Sequence, residues 1–142
     1  MSLLDSLLKT DIVKFEEPEE ATFYSKRLAK AIGSDKPVAV RVRELPSRRI
    51  QELIQMQFDK KGKIDMSKSQ RANAIIATEA VLEPNLRDER LREHFGCATP
   101  ADLAIKLFEA ELSKISDKVL ELSGYSSDEE EEEEELEEIK NS

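Results

Sequence analysis

The chain carries one histidine and one cysteine, three residues apart in "LREHFGCATP": His94 and Cys97. A thiolate beside an imidazole could act as a nucleophile and its base, and the same pair could begin a metal site. Neither idea goes further. No second histidine or cysteine is present to complete a triad, a tetrahedral metal site or an internal disulfide. His94 reads instead as a surface or capping residue near a helix end, where a positive imidazole is mildly favoured. Cys97, just past Gly96, reads as a small residue buried in a turn between helices. A lone cysteine also fits a reducing cytosol. Acids are plentiful, but nothing singles out a catalytic pair. Four glycines in 142 residues, with no G-x-G-x-x-G, phosphate loop or G-x-S-x-G, leave little to cradle a ligand. The composition points away from an enzyme and implies no cofactor and no bound metal.

The remaining chemistry is electrostatic. Ten of the eleven residues from Asp128 to Glu138 are acidic. The chain has 31 acids and 22 bases; the segment 128–142 holds ten of the acids and one base, Lys140, leaving 21 of each in residues 1–127. The body is formally neutral, and the net charge of -9 belongs to the tail. Such a run repels itself and is expected to be extended and disordered, or to fold on binding a cationic partner. "SSDE" offers an N-cap at Ser127 with Glu130 at N3, and Leu136 and Ile139 share a helical face. Asp128, Glu129, Glu130, Leu136 and Ile139 are therefore candidate partner contacts. The one local basic cluster, Arg41, Arg43, Arg48 and Arg49 in "RVRELPSRR", reads as a solvated strand face and helix start. Elsewhere bases alternate with acids, so no concentrated basic face for nucleic acid is expected.

These groups need a scaffold. Residues 1–127 suit one domain, and 128–142 form an appendage. The body can bury roughly two-thirds of its unfolded surface. The core must be aliphatic, because the chain has five Phe, two Tyr and no Trp. The fold is expected to be mostly α: a small helical domain with a short β-hairpin near the N-terminus and a disordered acidic C-terminal tail. "SLLDSLLK" places Leu3, Leu4, Leu7 and Leu8 on one stripe of a short helix. Two turns cannot stand alone in water, so the stripe must dock on its own body, on another copy or on a partner. The N-terminus lacks a basic n-region and a long apolar core and is not read as a signal peptide. No run approaches the roughly 20 apolar residues of a membrane span.

"PVAVRVREL" alternates Val38, Val40 and Val42 against Ala39, Arg41 and Arg43, the pattern of a half-buried strand. "ATFYSKRL" before it is ambiguous, and is read as strand followed by one helical turn. The rest is helical. "PSRRIQELIQMQF" puts Ile50, Leu53, Ile54 and Phe58 on one face. "SKSQRANAIIATEAVL" runs as helix up to Pro84. "RDERLREHFG" shows Leu91 and Phe95 inward. "TPADLAIKLF" opens with Thr99 as N-cap, Pro100 at N1 and Asp102 at N3, with Leu103, Leu107 and Phe108 inward. "ELSKISDKVLELSG" carries Leu112, Ile115, Val119 and Leu122. If parts of these stripes lie uncovered, Ile50, Leu53, Ile54, Leu112, Ile115 and Val119 form a groove for a partner helix.

Three segments carry a family resemblance: "EPNLRDERLREHFG" at 83–96, "TPADLAIKL" at 99–107 and "LSKISDKVLELSGY" at 112–125, supported by "RLAKAIGSDKPVAVRVRELPSRRIQEL" upstream and the final "IKN". Together they resemble the XkdN-like tail assembly chaperones of contractile-tailed phages and PBSX-type prophages. The resemblance implies a chaperone in the bacterial host cytoplasm, absent from the mature tail. It would bind the tape measure protein, keep that long helical chain soluble and promote assembly of tail tube protein around it. It implies no catalytic residues. It also implies a longer form of the chain made by programmed frameshifting near the end of the reading frame, for which the codons open to Lys140–Asn141 could supply the slippery run, and it leaves room for a homo-oligomer. The acidic run departs from the pattern, being longer than the family leads one to expect. The alternative from charge alone is a cytosolic adaptor or DNA-mimic regulator acting through its acidic tail. Neither reading calls for nucleic acid or membrane as a partner.

Overall fold

The computed structural model describes residues 2–125. In chain order they form α1 (Leu3–Leu8), α2 (Ile12–Glu16), β1 (Glu20–Ser25), α3 (Lys26–Ile32), β2 (Val38–Arg43), α4 (Ser47–Gln55), α5 (Met66–Ala80), β3 (Val81–Glu83), α6 (Glu89–His94), α7 (Pro100–Phe108) and α8 (Glu111–Leu122). The expectations for the acidic tail lie outside the described residues.

The alternation in β2 is realised as read. Val40 and Val42 are fully buried while Ala39 and Arg41 face water. β1 pairs antiparallel with β2, with Ala21 opposite Val42 and Phe23 opposite Val40. The strand reading of the ambiguous stretch is correct, and the single helical turn after it extends into the seven residues of α3. Ser25 closes the strand and caps the helix, its hydroxyl accepting the Leu28 N–H at 3.0 Å. Gly33, at φ 76, ends α3 in the left-handed region that favours glycine. The two strands are thus joined through a helix and not by a tight turn.

The expected hairpin is in fact one part of a three-stranded antiparallel sheet ordered β1-β2-β3. The helix read through to Pro84 stops at Ala80, and Val81 turns extended at φ -75, ψ 116. Val81 then sits opposite Val42 and Glu83 opposite Arg41. A buried β-branched residue gains more from pairing against β2 than from one more helical turn.

Helix α8 packs on β1 and β2 and covers the apolar face of the sheet, and α5 and α7 pack against α8 and each other behind it. The cap of α7 matches its reading: the Thr99 hydroxyl accepts the Asp102 N–H at 3.1 Å, with Pro100 in the first turn. Leu103, Leu107 and Phe108 are buried, as are Leu112, Ile115 and Val119 on α8. Glu109, at φ 47, reverses the chain between these two helices.

Polar contacts through Glu111 and Arg27 tie the early part of the chain to the late part. Glu111, at the start of α8, accepts the buried Ser25 hydroxyl at 2.5 Å and the Lys26 N–H at 3.1 Å. Arg27 on α3 donates to the carbonyls of Leu107 and Lys106 at 3.0 and 3.1 Å, satisfying the end of α7. The Ser116 hydroxyl on α8 is buried without a hydrogen-bond partner.

Two neighbours on α8 should therefore respond in opposite ways. Ile115→Ala empties a fully buried site and is expected to lower the unfolding free energy by about 2–5 kcal/mol. Ser116→Ala removes an unsatisfied buried hydroxyl and adds helix propensity, so it should be neutral or stabilising by up to about 1 kcal/mol. Urea unfolding of the two variants measures both.

Candidate interaction surface

The N-terminal arm is built to be helical but has nothing beneath it. The Ser2 hydroxyl accepts the Asp5 N–H at 3.2 Å while the Asp5 carboxylate reaches back to the Ser2 N–H at 3.4 Å, a reciprocal capping box. Asp11 caps α2 by accepting the Val13 N–H at 3.0 Å. No residue of α1 or α2 is buried. Leu3, Leu4, Leu7, Leu8, Ile12, Val13 and Phe15 are between 48% and 75% exposed. The leucine stripe therefore does not bury itself on its own fold. Fully burying each such side chain yields about 1.5–3 kcal/mol, so covering this segment would be favourable.

A second apolar patch lies on the lobe between α4 and α5. Phe58, read as part of the inward face of α4, lies beyond that helix, which ends at Gln55. It forms an antiparallel bridge with Ile64 across a turn. Asp59 organises the turn, its Oδ1 accepting the N–H groups of Lys61 and Lys63 at 2.8 and 3.0 Å. Gly62, at φ 80, takes the left-handed position. Asp65 caps α5 through Oδ1 to the N–H groups of Ser67 and Lys68. Its pKa is held below the usual carboxylate value, first by the Ser67 hydroxyl. The loop leaves Phe58, Ile64 and Met66 exposed, as is Met56 at the end of α4. Periodicity missed this patch because its apolar residues follow no single helical or strand period. The only signal was an isolated Ile64 among lysines and aspartates.

The stripes read as a binding groove occupy a different place. Ile50, Leu53, Leu112, Ile115 and Val119 are buried in the core, and Ile54 packs against it partly covered. Helix α8 is covered by α5 on one side and by the sheet on another, so its apolar face meets protein and not solvent. Asp128, Glu129, Glu130, Leu136 and Ile139 lie outside the described residues.

The basic cluster is largely engaged within the fold. Arg41 pairs with Glu20 at 2.9 Å, an exposed bridge worth little on its own. Arg43 donates twice to the Glu79 carbonyl. Arg49 forms a two-pronged pair with the Glu79 carboxylate at 2.9 and 2.7 Å and also reaches Glu52 at 2.9 Å. These two glutamates, Glu79 foremost, hold the Arg49 pKa above its ordinary value. Arg48 is exposed. Three of the four arginines are thus struts that tie the central strand and α4 to their neighbours, and the cluster is not an open cationic face.

His94 is exposed at the end of α6, edge-on to Phe95 at 5.0 Å. It borders an open cleft with Glu83, Pro84, Asp88 and Arg90. Cys97 is half-buried, its thiol directed at the Phe95 carbonyl at 3.6 Å. Among the described residues no group of three or more His, Cys, Asp or Glu could hold a metal ion. No described helix is long and apolar enough to cross a membrane.

Residues 4–140 match the model of the phage XkdN-like tail assembly chaperone proteins. The chain belongs to the XkdN-like family of phage tail assembly chaperones. The crystal structure of a protein titled yqbn superposes with a TM-score of 0.55 at 23% identity, covering 78% of this chain and 88% of that one. At that identity the likeness speaks for the fold alone. No curated protein matches in sequence. The family resemblance read from the segments at 83–96, 99–107 and 112–125 is therefore correct. In this chaperone those segments supply α6, α7 and α8, which are scaffold, while the exposed apolar patches lie in the first half of the chain.

Two measurements follow from this geometry. Deleting residues 2–16 removes no buried side chain, so in dilute protein it should change the unfolding free energy by less than about 0.5 kcal/mol. The same deletion should clearly reduce fluorescence of a bound apolar dye. In the cleft, Asp88 caps α6 and is paired with Arg90, whose side chain foremost lowers the Asp88 pKa to about 2. A depressed carboxylate stabilises its fold above its ordinary pKa and loses that contribution as pH falls through the lowered value. An NMR titration should therefore place the Asp88 carboxyl midpoint near 2.

Proposed function

We propose that this chaperone binds the tape measure protein, keeps its apolar helical stretches soluble and promotes assembly of tail tube protein around it. The observation that carries the reading is the seven exposed large apolar side chains of the arm in a member of this family. A tape measure protein presents long apolar helical stripes until the tube encloses them, and two short helices with open apolar faces are suited to cover such stripes. The role is non-enzymatic: the chain contributes surface and charge, and no residue transforms a substrate. It operates in the bacterial host cytoplasm and leaves before the tail is complete. The acidic run at 128–138 adds a solubilising segment and an electrostatic lure for basic parts of the client. A longer frameshifted form, with the shift near the codons of Lys140 and Asn141, would join the folded region to a second module through that segment.

A pull-down tests this directly. The protein is tagged at its N-terminus and expressed from its native locus with the downstream DNA, and co-eluting chains are identified by mass spectrometry. The tape measure protein should co-elute, together with a longer form of the chaperone whose extra peptides map to an overlapping frame. An eluate without tape measure protein, or one dominated by a nucleic-acid-binding protein, would reject the reading.

A further inference from the structure

The charges of residues 1–127 cancel in total but not in place. Residues 46–71, which make up α4, the lobe and the first turns of α5, hold seven bases and three acids. The rest of residues 1–127 holds fourteen bases and eighteen acids. Arg49 and Glu52 are already engaged, with Glu79 and with each other. That leaves six exposed bases, Arg48, Lys60, Lys61, Lys63, Lys68 and Arg71, against two half-buried acids, Asp59 and Asp65. The two acids reduce the positive excess without removing it. Among the described residues none of the six bases forms an ion pair. Phe58, Ile64 and Met66 lie open in the same stretch.

The chain leaves the described fold at one end of this surface. The Tyr125 hydroxyl donates to the Ser47 carbonyl at 3.5 Å, and the Leu45 N–H donates to the Ser123 hydroxyl at 3.0 Å. Tyr125 therefore stands at the start of α4, beside the residue that precedes Arg48. From there to the lobe is the length of α4, about 14 Å for nine residues at the helical rise. Residues 126–135 precede Leu136, and fully extended those ten reach up to about 33 Å. Residues 128–138 supply ten acids, and Leu136 and Ile139 are the large apolar side chains of 126–142. We propose that residues 126–142 lie back along α4 of their own chain. The acids then sit beside Arg48 and the lysines of the lobe, and Leu136 and Ile139 sit on Phe58, Ile64 and Met66. The tether holds the segment near its site at an effective concentration in the millimolar range, so contacts that are weak one by one suffice. Charge brings the segment to this face and away from the rest of the body, and the apolar pair fixes its register. The lobe is covered by its own chain until a client with stronger contacts displaces the segment. The inference concerns the protein before it meets a client, and it stands whether or not the client is a tape measure protein.

Paramagnetic relaxation in the full chain tests this. Cys97→Ser removes the native thiol, and Ser142→Cys carries a nitroxide label. At low salt the amide signals of Phe58, Ile64 and Met66 should lose intensity, while those of Asp102 and Lys106 on α7 should not. High salt should restore them in large part, since it screens the charged contacts. The reversal Lys60→Glu, Lys61→Glu, Lys63→Glu should also restore them. Adding Glu129→Lys, Glu130→Lys and Glu131→Lys to that reversal should bring the loss back, which a misfolded lobe would not. Leu136→Asp with Ile139→Asp should abolish the loss while leaving every residue of the described fold in place. The chain with its native Cys97 and no label gives a second reading: this apolar pair of changes should shift the amide signals of residues 56–66. Mixing labelled chain with isotope-enriched unlabelled chain separates docking within a chain from docking between chains. Losses confined to the mixed sample's unlabelled partner, losses centred on another surface, or no loss at low salt would each overturn the proposal. Signals of residues 56–66 indifferent to Leu136→Asp with Ile139→Asp would overturn it equally.

Discussion

The fold depends on one constraint: a three-stranded sheet with a single apolar face cannot hold together until that face is covered. The cover comes from the far end of the chain. Helix α8 packs against β1, β2 and α5, placing Leu112, Ile115 and Val119 in the middle of the core. The Glu111 carboxylate then completes the start of α3, and Arg27 of α3 completes the end of α7. These are exchanges between helix termini, each supplying a partner to helix-end backbone groups that have none within their own helix. A sheet laid down early and a cover synthesised late mean that the stabilising contacts are mostly non-local. The local capping boxes and Asx turns only prepare the pieces.

That constraint decides what the sequence could tell. The Thr99–Pro100–Asp102 start of α7 was legible because a cap is local chemistry: three residue types at fixed spacing satisfy N–H groups a turn away. The alternation of Val40 and Val42 against Arg41 was legible for the same reason. β3 was not. "EAVLEP" continues the apolar rhythm of α5, and only the presence of β2 beside Val81 turns those residues into strand. Phe58 failed similarly, since one more apolar residue at helical spacing looks like one more helical turn. Periodicity also reports which face of an element is apolar without reporting what covers it. Ile50, Leu53, Leu112, Ile115 and Val119 matched a groove and a core equally well; α4 meeting α5, and α8 meeting the sheet and α5, resolved them as core.

The same logic located the surface that periodicity could not assign. Leu3, Leu4, Leu7 and Leu8 follow the same rule as the stripe of α8, an apolar face on a short helix. The difference is topological. α8 sits where two elements enclose it, while α1 and α2 precede the first strand and have no element to lie under. Their caps, Ser2 with Asp5 and Asp11, hold helical geometry without tertiary support. The acids of the lobe act likewise, with Asp59 and Asp65 consumed by backbone N–H groups so that the lysines remain outward.

This division suits a protein whose work is to cover other proteins. If the exposed apolar side chains were structural, client binding would compete with folding, and each encounter would cost stability. Here no residue of α1 or α2 is buried, and Phe58, Ile64 and Met66 are open to solvent. The surface can therefore be occupied or vacated while Ile115, Phe108 and Val42 keep their neighbours. Charge follows the same separation. The arginines near the sheet are bound to Glu20, Glu79 and Glu52 as struts, whereas the lysines of the lobe and the glutamates behind the arm remain at the rim of apolar surface. Flexible lysine and glutamate side chains at a rim tune which surfaces meet without adding much to the strength of the contact. A chaperone needs that balance, because a contact strong enough to be permanent would trap its client.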